Sequence, residues 1–96
     1  MGVLMEYKII PGIAACVTVE CEKFPLRWGA RTAMFIYMDE GKPIEKGVGD
    51  LIEFSSLPQA VQDAITAHFN AVFALPIEAR GKHLDSIEPV IVEVDE

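Results

Sequence analysis

The chain is poor in positive charge, poor in cysteine and free of long apolar runs. No stretch approaches the roughly 18 to 20 consecutive apolar residues of a membrane-spanning helix, so a soluble protein is expected. Only 8 Lys and Arg face 15 Asp and Glu, for a net charge of −7 over 96 residues. A binder of duplex nucleic acid needs a cationic face to displace counterions, and this balance speaks against one. Residues 1–6 have neither a basic stretch nor an apolar core, so no secretory signal is expected and a reduced, cytoplasmic setting follows.

The two cysteines, Cys16 and Cys21, fit neither a disulfide nor a zinc site. On one strand their Cα atoms would lie about 16 Å apart, against the roughly 4.4 to 6.8 Å of a disulfide. C-x₄-C is not a structural zinc pair, and His68 and His83 add no zinc spacing to it. No metal and no cofactor is expected.

What is present suffices for a core. Apolar residues make up 51% of the chain and charged ones 24%, which excludes a disordered polymer. The length suits one domain spanning 1–96. The charge is uneven: residues 1–31 carry Lys8, Lys23, Arg27 and Arg31 against three acidic groups, whereas residues 32–96 are strongly acidic.

From Glu6 to Glu22 apolar and polar residues alternate around Pro11-Gly12, a pair suited to a turn, so a strand with a bend or bulge is expected there. Beyond the break Val17, Val19 and Cys21 share one face. Residues 32–38 are apolar on both faces, as in a central strand. Asp39 to Pro43 reads as a hairpin turn, and a further strand runs over about 44–54. A helix is expected over about 56–75. Ser56-Leu57-Pro58-Gln59 matches a capping box, and Pro76 stops the helix. Its apolar face would hold Leu57, Val61, Ala64, Ile65, His68, Val72 and Leu75, with Phe69 and Phe73 on a flank. A last strand covers 90–94.

These elements predict an α+β two-layer domain: three N-terminal strands, one helix on one face of a mostly antiparallel sheet, and one C-terminal strand. One helix covers one face only. The other face retains apolar residues and is expected to form a homodimer.

Catalytic patterns are missing. Gly47-Val48-Gly49 lacks the remainder of a dinucleotide-binding loop. Asp39-Glu40 and Asp95-Glu96 sit in a turn and at the chain's end, where no carboxyl becomes a general acid. An enzyme is therefore not expected. Cys21 reads as a small core residue.

Function is expected in Lys23-Phe24-Pro25-Leu26-Arg27-Trp28-Gly29-Ala30-Arg31, which holds the sole Trp beside several cations. Phe24, Arg27, Trp28 and Arg31 are the candidate partner-binding residues, since Trp and Arg dominate binding hot spots. The competing role for Phe24 and Trp28 is closing the core at the sheet's edge. The reading is a small acidic protein-interaction module; by analogy of size and charge, its specific form is an accessory or phage-type inhibitor of a protein complex. Two alternatives stand beside it: a small-ligand binder or minor enzyme with a pocket at His68, and a weak single-stranded nucleic-acid binder through residues 23–31.

Overall fold

A computed structural model describes residues 2–12, 16–26, 29–36, 47–48, 52–79 and 88–96. Among the described residues five strands form one sheet: β1 (Leu4–Pro11), β2 (Cys16–Glu20), β3 (Thr32–Ile36), β4 (Gly47–Val48) and β5 (Val90–Asp95). Their spatial order is β4-β3-β2-β1-β5, and every neighbouring pair is antiparallel. One main helix, α1 (Gln59–Phe73), packs on one face. The α+β two-layer architecture expected from the sequence is present.

The break at Pro11-Gly12 is sharper than the expected bend. It starts a full reversal, after which Pro11 stands opposite Val17 and Lys8 opposite Glu20. Proline removes a ladder donor at the end of β1, and the Gly12 amide then bonds the Cys16 carbonyl at 3.0 Å. The alternation across this segment therefore belongs to two strands lying side by side.

Alternation sorts the sheet into two faces. Tyr7, Ile9, Val17, Val19, Ala33 and Phe35 point to the helix side and are buried. Met5, Val92 and Val94 pack partly against them. Helix α1 answers with Val61, Ile65, Phe69 and Val72, spaced by three or four residues as a helical stripe requires. Phe69 is fully buried, so it belongs to the centre of the apolar stripe and not to its flank; His68 beside it is half-buried.

The helix begins later than the capping-box pattern suggests. Residues Phe54–Ser56 form a 3₁₀ turn, and Pro58 takes the N-cap position without a side-chain cap. The Ser56 hydroxyl donates backwards to the Glu53 carbonyl at 2.7 Å, so it is not available to the helix amides. Gln59 instead donates to Asp63 one turn on, at 2.8 Å. The 3₁₀ turn pins Phe54 edge-on against Phe35, with ring centroids 5.9 Å apart. At the other end Ala74 caps the helix two residues before Pro76.

Among the described residues no helix is long and apolar enough to cross a membrane. The turn at 39–43 and most of the strand expected over 44–54 lie outside the described residues.

Candidate functional site

The connection between β2 and β3 straddles one end of the sheet. It opens with a bond from the Cys21 amide to the Arg31 carbonyl at 3.1 Å, which extends the β2–β3 ladder by one step. The Phe24 amide then bonds the Cys21 carbonyl at 3.1 Å, turning the chain towards the core face. Phe24 is only 2% exposed and meets Tyr7 edge-on at 6.0 Å. Two residues later Leu26 is 66% exposed. Gly29, with φ of 79°, supplies the left-handed step that returns the chain to β3.

Arg31 holds this loop in shape. Its Nη1 donates to the Glu22 carbonyl at 2.6 Å and to the Phe24 carbonyl at 3.2 Å. A guanidinium is suited to such a staple because its planar donors stay charged at every accessible pH.

A second clasp fastens the opposite side of the same sheet end. Tyr7 donates its hydroxyl to Glu96 Oε2 at 2.7 Å, and Lys23 Nζ donates to Glu96 Oε1 at 2.5 Å. Lys23 also lies 5.3 Å from the centre of the Tyr7 ring. Burial pushes the Tyr7 hydroxyl up to about 12. The Lys23 ammonium, and after it the Tyr7 hydroxyl, holds the Glu96 carboxyl below its ordinary value. The Lys23 ammonium is itself raised, chiefly by its bond to Glu96. The charges are thus already satisfied, and the clasp is structural.

The stapled loop forms one wall of a groove of about 610 Å³ on the helix-free face of the sheet. Its floor is Glu6, Lys8 and Glu20 from β1 and β2; Leu4 and Ile91 border it, and Cys21, Glu22, Leu26, Gly29, Ala30 and Arg31 complete the wall. The register explains the assembly, since Lys8 stands opposite Glu20 on one side and opposite Ile91 on the other. The volume lies in the range of ordinary small-ligand clefts. Three carboxylates and two cations line it. Leu4 is 62% exposed and Ile91 50% exposed, so with Leu26 they offer apolar surface around a polar floor.

The residues singled out in the sequence are distributed differently. Phe24 serves the core and Arg31 the groove wall, while Arg27 and Trp28 lie outside the described residues. A side chain as buried as Phe24 has no surface for a partner, so the core-closing role is the one it fills. His68 is on α1 and is not among the groove's lining residues; its ring lies 5.8 Å from that of Phe69. His83 falls outside the described residues. Cys21 is buried and Cys16 half-buried, both as free thiols, and burial raises the Cys16 thiol above its ordinary value.

Sequence reading missed Leu4, Glu6, Lys8, Glu20, Leu26 and Ile91 as one site. Each polar member occupies an outward position of an alternating strand, which marks it as exposed and says nothing of its neighbours. No family model, no curated protein and no solved structure matches the chain.

Proposed function

We propose that the protein is a small protein-interaction module that binds a segment of a partner in the groove on the helix-free sheet face. The observation that carries this reading is the groove itself, with Leu4, Leu26 and Ile91 exposed around Glu6, Glu20 and Glu22 and one wall held by Arg31. Exposed aliphatic side chains around a charged floor suit a protein segment that buries an apolar residue and sets a Lys or Arg between carboxylates. A nucleic-acid backbone would meet more carboxylates than cations there, which disfavours it. The net charge of −7 steers the protein towards basic surfaces. An accessory or inhibitory protein that occupies a basic site on a larger complex is the specific form of this reading. Two free thiols accord with a reduced, cytoplasmic setting.

The same face leaves Met34 41% exposed, in one row with half-buried Ile10. Self-association of the chain would rest on this patch, and sedimentation velocity of Met34→Asp beside the unaltered protein measures it.

Affinity capture with three immobilised forms tests the binding function: the unaltered protein, a Glu20→Lys, Leu26→Asp double variant, and an Asn70→Ala variant on the exposed face of α1. A partner retained by the first and third and lost from the second supports the groove. A partner held equally by all three, or none held by any, overturns it.

A further inference from the structure

β5 is an outer strand of the sheet, paired with β1 on one side. The direction of its backbone groups follows from the pairing. Val3 and Glu96 exchange both of their N–H···O bonds, at 2.5 and 2.9 Å. The register then continues from Leu4 opposite Asp95 to Ile9 opposite Val90. In an antiparallel ladder such bonded pairs alternate with non-bonded ones. Val94, Val92 and Val90 therefore bond towards β1, and Ile91, Glu93 and Asp95 turn their N–H and C=O groups away from it. Among the described residues no strand pairs with that side.

Outer strands are usually guarded against a further strand by charged side chains, lysine above all, by a proline or by a bulge. The charges on this one are acidic, so they guard it against acidic segments and not basic ones. Residues 90–95 read Val-Ile-Val-Glu-Val-Asp and have neither Lys nor Pro, and their pairing with β1 is continuous. The charge along this edge has one sign. Glu93 stands directly opposite Glu6 on the helix-free face, and Asp95 lies two residues on. Like charges facing each other across a ladder are destabilising, and a cation set beside them relieves the repulsion. A second copy of this strand would bring its own Glu93 and Asp95 to the same edge, so charge favours an unlike occupant.

We propose that the β5 edge takes up an extended segment of a partner protein as an added strand, and that this segment alternates apolar residues with Lys or Arg. Its cations lie beside Glu93 and Asp95, on the face that continues into the groove through Ile91. Its apolar residues lie beside Val92 and Val94, at the margin of the core. Backbone bonds to Ile91, Glu93 and Asp95 supply affinity, and the alternation supplies selectivity. This rests on the protein-binding reading and names the chemical class of the partner segment.

The test is an NMR titration of the isotopically labelled protein with a blocked peptide of alternating valine and lysine. Two comparison peptides are used: the same sequence with alternate backbone N-methyl groups, and an alternating valine–glutamate peptide. The lysine peptide is expected to slow amide exchange at Ile91, Glu93 and Asp95 by about tenfold or more, as new ladder bonds require. The N-methylated and glutamate peptides leave these amides unchanged. A Glu93→Lys, Asp95→Lys variant exchanges the preference in favour of the glutamate peptide. Ile91→Pro, which deletes one outward N–H at a position where an outer strand tolerates proline, weakens uptake of the lysine peptide.

Equal binding of the N-methylated peptide overturns the proposal, as does binding that shifts Leu26 and Arg31 while the three β5 amides stay unchanged. In that last case the groove still stands. Absence of binding by the lysine peptide overturns the added strand alone, because capture of a partner through the groove is measured separately.

Discussion

Phe24 and Leu26 are two residues apart on one loop, yet their exposures are 2% and 66%. Truncating each to alanine should give opposite results. Phe24→Ala removes a ring sealed among core residues, leaves a cavity and deletes the edge-on contact with Tyr7 at 6.0 Å. Phe→Ala changes at such sites cost about 3 to 5 kcal/mol. A domain of this size is stable by roughly 5 to 14 kcal/mol, so the loss takes a large share of the total. At about 4 to 8 °C per kcal/mol, Tm should fall by at least about 12 °C. Leu26→Ala removes side-chain surface already in water and should change stability by no more than about 0.5 kcal/mol. Urea unfolding followed by far-ultraviolet circular dichroism measures both, with the m-value as a check that the unfolded states match. Partner capture should reverse the order, with Leu26→Ala weakening retention in its folded state. A Phe24→Ala cost below about 1 kcal/mol would refute the assignment of this residue to the core.

Three further outcomes follow from the same geometry. Gly29→Ala places a side chain at φ of 79° in open space, so only backbone strain opposes it; a loss of about 1 to 2 kcal/mol in urea unfolding is expected. Ser56→Ala should cost less than about 1 kcal/mol and leave helix content by circular dichroism unchanged, because the hydroxyl bonds Glu53 and caps no helix. For pH, the Tyr7 hydroxyl titrates near 12 in the fold against 10.0 unfolded, so its contribution is complete below pH 10 and is lost between pH 10 and 12. The lowered Glu96 carboxyl acts in the opposite sense, contributing above its unfolded value and fading as acid protonates it. Urea midpoints across pH should therefore show an alkaline decline that is shallower in Tyr7→Phe.

The fold was legible where hydrophobic spacing is unambiguous. The stripe of Val61, Ile65 and Val72 marks α1, and alternation at Val17 and Val19, carried one step past the strand to Cys21, marks the inner face of β2. The hairpin at Pro11-Gly12 was harder, because alternation looks the same in one bent strand and in two paired ones. The helix start was misread because Ser56, although it opens a capping pattern, is drawn into the preceding 3₁₀ turn by Glu53. Composition drew attention to the loop over residues 23–31, and Arg31 does line the groove. Composition does not reveal side, however: Phe24 and Leu26 diverge to opposite faces because the chain crosses the sheet's end between them. The floor of the groove required the registers of β1 with β2 and with β5, which join residues far apart in the sequence.

The most direct measurement is hydrogen exchange of the protein, free and saturated with a captured partner, read by mass spectrometry across the whole chain. Binding at the groove predicts slowed exchange along residues 4–8, 20–26 and 29–31 and along β5, with the outer turns of α1 unchanged. Protection confined to α1, with those segments exchanging as in the free protein, would contradict the assignment of partner binding to the helix-free face.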